Sequence, residues 1–408
     1  MAFSQNDQSQ EERIIFHIDV NSAYLSWSAL KLLDEGSEVD LRLIPSIVGG
    51  DQETRHGIVL AKSLSAKAYG IRTADTVASA LQRCPNLTMV PPDHKYYREK
   101  SRQLMEYLMS ICPEVEQVSV DECYMAFEPI ADRFTSPQEA AAYIKDGVRE
   151  TFGFTVNVGI SDRKVLAKMA SDFKKPDLVH TLYVREIQDK LWPLKVSELH
   201  MCGKSSAETL RKMGIRTIGD LAKTEKSSVE SWLKSHGVLL WNYANGIDDS
   251  KVISEPQRAK GIGNSTTLAK NAESREDACR VLKSLAKSVS ERLKKHHFLA
   301  GQISTEIKYA SFQSVSHQMT LMSPTASADT IYQQACRLFD ELWNGEPIRL
   351  LGIRTTKLED EGEPIQMNLF DFQKEQATTE KQKKLNEALD SIRKRYGEES
   401  VKRGDEFV

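Results

Sequence analysis

Val118-Ser119-Val120-Asp121-Glu122-Cys123-Tyr124 sets two adjacent carboxylates at the close of a short apolar, strand-like run. About a hundred residues earlier, Ile14-Ile15-Phe16-His17-Ile18-Asp19 ends a second such run on a third carboxylate. Successive side chains on a strand point to opposite faces, so an Asp-Glu pair ordinarily splits its charges. At a strand end, where the chain bends, both can turn toward one ion. A neighbouring strand carrying Asp19 then completes an oxygen-rich site suited to Mg²⁺. Sites of this kind serve phosphoryl transfer with two metals roughly 3.5–4 Å apart. By itself the pair reads more readily as a solvated turn, because most acidic side chains sit in water without an ion.

Outward from this stretch, residues 13–177 alternate short apolar runs (14–18, 43–48, 57–61, 87–91, 115–120, 123–127, 155–160) with helical stretches (22–34, 76–83, 95–111, 137–151, 163–173). The pattern predicts a mixed α/β domain, an antiparallel sheet with helices on one side. Leu104, Leu108 and Ile111 recur at helical spacing before Cys112-Pro113 stops the helix and returns the chain to the strand that delivers Asp121 and Glu122. Residues 186–250 read as short helices punctuated by Gly203, Gly214, Gly219 and Gly246. Within them, residues 202–221 suit either a helix-hairpin-helix, whose backbone N–H groups grip a duplex through phosphates, or an ordinary αα-turn. A polar linker near 248–257 leads to a third unit over 258–357, with helices over 275–297 and 328–343 and strand-like runs over 302–309 and 348–357.

At 408 residues the chain is too long for one ordinary core and predicts two to four domains. The net charge of −3 looks wrong for a nucleic-acid binder, yet residues 258–357 hold 15 Lys/Arg against 9 Asp/Glu while 358–408 hold 9 against 13. A basic module is thus followed by an acidic tail, entered through Leu358-Glu359-Asp360-Glu361-Gly362-Glu363, which reads as an exposed linker. The six cysteines are scattered singly, without zinc-site pairs or the density of a secreted scaffold, and read as reduced thiols. Residues 1–12 are polar and acidic, unlike a secretory signal, and no apolar stretch approaches membrane-spanning length. The expectation is a cytosolic protein, monomeric and without a membrane partner. In the tail, Gln366-Met367-Asn368-Leu369-Phe370-Asp371-Phe372 puts three large apolar side chains into an acidic stretch. That suits a peptide docking into a partner's pocket, or a segment folding back on its own domain.

The segments His17-Ile18-Asp19-Val20-Asn21-Ser22-Ala23-Tyr24, Val48-Gly49-Gly50, Ala61-Lys62-Ser63-Leu64-Ser65-Ala66-Lys67-Ala68-Tyr69-Gly70-Ile71, Ser119-Val120-Asp121-Glu122, Gly159-Ile160-Ser161 through Lys168 to Lys174-Lys175-Pro176, and Gly261-Ile262-Gly263-Asn264 come in a specific order. In that order they resemble the Y-family of lesion-bypass DNA polymerases, most closely the bacterial DNA polymerase IV branch. The resemblance spans residues 14–372 and implies an α+β multidomain right hand. Its parts are a ferredoxin-like palm over 13–178 with small fingers inserted at about 30–90, a helical helix-hairpin-helix thumb over 179–250, a linker over 251–257 and an α/β little finger over 258–357. It implies that Asp19 and Asp121 bridge two Mg²⁺ ions, that Glu122 holds the ion activating the primer 3′-hydroxyl, and that the Val20 carbonyl completes the nucleotide-bound ion. Tyr24 falls at the family's steric gate against a 2′-hydroxyl, and Lys67 and Lys175 at positions contacting the triphosphate of the incoming deoxynucleotide. Gln366, Leu369 and Phe370 match the peptide that docks into the bacterial sliding clamp.

Four features depart from the family pattern. Lys67 stands where Arg is usual, a point charge in place of a bidentate fork, and Leu64 stands where a Tyr hydroxyl is common. Ile58 and Leu60 replace the small residues that roof the nascent base pair, narrowing the space for bulky template adducts. Met201-Cys202-Gly203 replaces a Gly-x-Gly turn. The expected activity is template-directed primer extension on primer-template DNA, of modest fidelity, with no acidic set suggestive of a proofreading exonuclease. Two rivals remain: a palm-domain nucleotidyl cyclase, which has no use for a duplex grip, and a non-catalytic adaptor that binds DNA and clamp, against which retention of all three carboxylates argues.

Overall fold

The computed structural model describes residues 13–50, 57–255 and 257–362, together with Ala388, Ser391, Ile392 and Arg395. The chain divides between Gln257 and Arg258 into two units. In the first, elements follow as β1 (Ile15–Val20), α1 (Ala23–Asp34), β2 (Ser46–Gly49), β3 (Val59–Lys62), α2 (Leu64–Ala68), α3 (Val77–Arg83), β4 (Thr88–Val90) and α4 (His94–Ile111). Next come β5 (Val115–Gln117), β6 (Glu122–Ala126), α5 (Pro137–Phe152), β7 (Val156–Ser161), α6 (Lys164–Ser171) and β8 (Val179–Thr181). Helices α7 (Ile187–Lys190), α8 (Lys204–Lys212), α9 (Ile218–Lys223) and α10 (Lys226–Ala244) complete it.

The main sheet has the order β5-β6-β1-β7-β8, antiparallel except for the β7/β8 pair. Strand β1 is central and covered on both faces, which is why Ile15-Phe16-His17-Ile18 reads as a nearly unbroken apolar run. Phe16, Ile18 and Val20, with their cross-strand partners Ile160, Val158 and Val156, face a core shared with Leu104 and Leu108 of α4 and Ile144 and Val148 of α5. Each such side chain contributes roughly 1.5–3 kcal/mol on burial. The alternate residues of β1 point the other way, where Ile15 and Tyr124 pack on Ala167 of α6. Helices therefore cover both faces, correcting the one-sided arrangement expected from the sequence. The amphipathic pattern of α4 and α5 announced one layer, whereas the polar residues of α6, Lys164, Lys168 and Ser171, are themselves largely enclosed and read in the sequence as a solvated face.

α6 approaches β7 closely because Gly159 lies beneath it. A Cβ on Gly159 would stand 2.0 Å from the Ala167 carbonyl oxygen and 2.5 Å from the Ser171 nitrogen. The N-terminus of α6 is fastened to the segment that leaves the unit. Val165 N–H donates to Asp248 Oδ2 (2.8 Å), and the buried Lys164 ammonium pairs with Glu116 (2.7 Å) over the Tyr124 ring (4.5 Å). Lys164 also donates to the Lys251 carbonyl (3.2 Å), and Glu116 accepts from the Ile253 N–H (2.7 Å).

A second, three-stranded sheet of order β3-β2-β4 carries α2 and α3, with Ile47, Val59, Ile71 and Val77 in its core. Ser63 caps α2 by accepting from the Ala66 N–H (3.0 Å). Further along, α8 and α9 form a hairpin whose turn uses Gly214 at φ 87°, and Thr217 with Asp220 makes a capping box at the start of α9. Met201 occupies the left-handed region (φ 69°) just before α8, a conformation costing a non-glycine residue about 1 kcal/mol or more. The methionine thus adopts the dihedral for which glycine is ordinarily used. Strand β8 pairs with β7, so the sheet domain runs to Thr181, and the boundary expected at 178/179 falls too early.

In the second unit β9 (Gly261–Ala272), α11 (Arg275–Lys295), β10 (Phe298–Tyr309), β11 (Ser314–Thr325), α12 (Ala328–Leu342) and β12 (Ile348–Asp360) form an antiparallel sheet of order β11-β10-β12-β9 packed against two helices. β12 continues three residues beyond the expected boundary at 357, since Leu299 and Phe298 pair with Glu359 and Asp360. Ladder pairing with β10 and the packing of Leu358 on the core override the polarity that marked this stretch as a linker. Among the described residues no helix is long and apolar enough to cross a membrane.

Candidate active site

The antiparallel register of β1 and β6 sets Asp19 directly opposite Glu122. Directly opposed residues share a face, here the one occupied by α6. Asp121 precedes β6 where the chain bends. Its carbonyl accepts from the Val20 N–H (2.9 Å), and its Oδ1 accepts from the Ser119 hydroxyl (2.6 Å). Three carboxylates from distant parts of the chain thus gather at one end of β1.

Two lysines from the α6 region address them. Lys168 Nζ donates to Glu122 Oε2 (2.7 Å) and Asp19 Oδ2 (3.2 Å), and lies 3.4 Å from Asp172 Oδ2. Lys175 Nζ reaches Asp19 Oδ1 (3.0 Å) and Asp172 Oδ1 (2.9 Å). The side chains of Lys168, Asp19 and Glu122 are only 13%, 14% and 22% exposed, so these charges interact with little solvent screening. His17, two residues before Asp19 on the same face, sets Nε2 3.4 Å from Glu122 Oε2 and Nδ1 2.8 Å from Ser171 Oγ.

The protonation equilibria follow from these contacts. The His17 ring, then the Lys168 ammonium, hold the Glu122 carboxyl down at about 2 against the opposing effect of burial. Burial raises Asp121, and the neighbouring charges of Asp19 and Glu122 push the same way against the Ser119 hydrogen bond. Burial disfavours the charged forms of Lys168 and Lys175, yet the surrounding carboxylates outweigh it and raise both. Burial lowers His17 and favours its neutral ring.

Of the residues singled out in the sequence, Asp19, Glu122 and Lys175 are in direct contact or cross-strand register, and Asp121 flanks them. Val20 ends β1 with its side chain in the core. The Tyr24 ring, at the start of α1, stacks on Tyr97 (centroids 4.5 Å, planes 14° apart). Burial and then the charge of Asp121 raise its hydroxyl. Lys67 is exposed on α2, and burial together with its charge lowers Lys62. Ile58 is exposed beside β3, bridged to Thr76, whereas Leu60 packs against a cluster containing Leu25, Ala29 and Leu41. Gln366, Leu369 and Phe370 lie outside the described residues.

Sequence reasoning passed over Lys168, Asp172 and the part played by His17. Signals for them were present. Lys168 follows Lys164 at i+4, Asp172 comes at i+4 and Lys175 at i+7 from Lys168, and His17 shares the strand period of Asp19. Among the described residues, His17, Asp19 and Glu122 form a group whose ligand atoms all lie within 4.8 Å of one another.

A model of the impB/mucB/samB family matches residues 18–172, and one of that family's C-terminal domain matches residues 259–369. The chain is 41% identical over 391 residues to the DNA polymerase IV of Clostridium acetobutylicum, covering 96% of this chain and 97% of that protein. It is 36% identical over 400 residues to DNA polymerase IV 1 of Bacillus subtilis (97% and 93% covered). Among solved structures, a Y-family DNA polymerase chimera superposes with a TM-score of 0.74 at 21% identity, over 87% of this chain and all of that one, and so supports the fold. The three carboxylates at the end of an antiparallel sheet, together with these likenesses, define a polymerase of the Y-family type. The chain belongs to that family and, within it, to the DNA polymerase IV branch.

Proposed function

We propose that this chain is a template-directed DNA polymerase of the translesion class, which extends a primer 3′ end on primer-template DNA with deoxynucleoside triphosphates and releases pyrophosphate. The observation that carries the reading is the convergence of Asp19, Asp121 and Glu122 at one strand end, with Asp19 and Glu122 in cross-strand register. The relatives imply use of a divalent metal, and the donor set here fits a hard cation. Carboxylate oxygens predominate, and the site already draws an ammonium group between Asp19 and Glu122. We assign Asp19, Asp121, Glu122 and the Val20 carbonyl as ligands of two Mg²⁺ ions. His17 is left out because its nitrogen is a softer donor and its ring is engaged with Ser171. Bound there, the ions lower the pKa of the primer 3′-hydroxyl and offset charge building on the α-phosphate.

The remaining roles belong to the protein's own groups. Lys175, already at the edge of the carboxylates, and Lys67 on α2 neutralise the triphosphate. The Tyr24 ring, held by Tyr97, is braced to reject a 2′-hydroxyl. Ile58 and Leu60 form the roof over the templating base. The sheet domain is the palm, the small β3-β2-β4 layer the fingers, the α7–α10 helices the thumb and the second unit the little finger. Gln366, Leu369 and Phe370 dock into a bacterial sliding clamp, the enzyme itself being monomeric.

Asp121→Asn tests the assignment. Primer extension in Mg²⁺ is expected to fall by several orders of magnitude while DNA affinity, measured by fluorescence anisotropy, stays within about twofold, because the ligand serves chemistry and backbone contacts carry binding. Extension retained near the wild-type rate would remove Asp121 from the site.

A further inference from the structure

The cysteines are dispersed in sequence, yet the fold brings two of them together. Cys279 on α11 and Cys336 on α12, 57 residues apart, face one another with Sγ atoms separated by 3.4 Å. Each is 8% exposed, and the other four cysteines lie in the first unit, so this is the only such pair among the described residues. Beside the pair a cleft of about 510 Å³ reaches the surface, its wall including Cys336, Tyr332, Arg275 and Asp340. Arg275 is fixed there by two hydrogen bonds to Asp340 (2.7 and 2.8 Å). Tyr332 lines the same cleft as Cys336. A pair of thiols serving only as apolar filler needs neither an open cleft nor a cation and a hydroxyl at its mouth.

We propose that Cys279 and Cys336 are an oxidation site: hydrogen peroxide entering through the cleft converts them to a disulfide that bolts α11 to α12. Cys336, which lines the cleft, loses its proton and attacks the peroxide. An S–O bond forms, the O–O bond breaks and the leaving oxygen departs as water, giving a sulfenic acid. The Cys279 thiolate then attacks the Cys336 sulfur, the S–S bond forms, the S–O bond breaks and a second water leaves. Two thiols are oxidised by two electrons and one peroxide is reduced to two waters. The sulfurs close from 3.4 Å to about 2.05 Å within a helix pair already in contact. Burial and the neighbouring thiol raise Cys336, while the Arg275 charge opposes them, so the reaction quickens with rising pH. The bridge ties together a segment containing β10 and β11, restricting the unfolded chain more than the folded one.

The test uses the full chain and hydrogen peroxide at pH 8.5, followed by alkylation in denaturant, non-reducing proteolysis and mass spectrometry. A peptide linking Cys279 to Cys336, two hydrogens lighter than the sum of its parts and split by dithiothreitol, is expected. With it, the melting midpoint is expected to rise by several degrees, to return on reduction, and to stay unmoved by peroxide in Cys336→Ala. Mapping of the wild-type chain needs no variant to fold. Recovery of both thiols fully alkylated, oxidation of one to sulfinic acid without a link, or a link that leaves the midpoint unchanged would each overturn the proposal.

Discussion

Lys168 holds the position from which a cation best compensates Asp19 and Glu122 at once. Lys168→Met leaves these carboxylates facing each other, and loss of one partner from a largely buried pair costs up to about 3–5 kcal/mol, less where water reaches the site. In metal-free buffer at pH 7 the variant is expected to melt several degrees below wild type, and millimolar Mg²⁺ to narrow the gap. A gap indifferent to Mg²⁺ would show that the ammonium and the metal do not share these ligands. The pH response has a definite sign. Glu122 titrates at about 2 in the folded chain against an ordinary 4.5. Its stabilisation is therefore complete above 4.5 and disappears as pH falls toward 2. The difference in melting midpoint between wild type and Glu122→Gln should shrink across that window, and widening on acidification would contradict the assigned contacts. The carboxylates were legible because charge at the end of an apolar run is anomalous. Lys168 was not, because a helix lysine ordinarily reads as a solvated one.

Among the elements, α6 decides where Lys168 sits, and Gly159 decides where α6 sits. Gly159→Ala drives a methyl group into the backbone of Ala167 and Ser171, neither of which can rotate aside. A loss of at least about 1–3 kcal/mol is expected in chemical denaturation. Primer extension should fall more steeply than stability accounts for, since any lift of α6 moves Lys168. An alanine variant as stable and as active as wild type would mean that the helix is not seated by this contact. Most of the longer helices were readable from spacing and stops: Leu104, Leu108 and Ile111 recur along α4, and Cys112-Pro113 ends it. β9 and β11 were not, because they are edge strands whose sequences, GIGNSTTLAKNA and SVSHQMTLMSPT, face water along much of their length.

For the molecule as a whole, the division near 257 was visible as a polar stretch, whereas the limits at 181 and 360 depended on strand pairing, which no local composition encodes. Processivity belongs to this scale. Replacing Leu369 and Phe370 by alanine should abolish stimulation by a sliding clamp on long primed templates and leave distributive extension of short primers unchanged, because the tether acts through effective concentration alone. Stimulation that survives would place the clamp contact elsewhere. The stitching of residues 248–253 onto Val165, Lys164 and Glu116 bears on the same scale. Lys168 stands one helical turn beyond Lys164, so a single short helix holds both the ammonium that faces the acidic centre and the anchor for the backbone leaving the first unit.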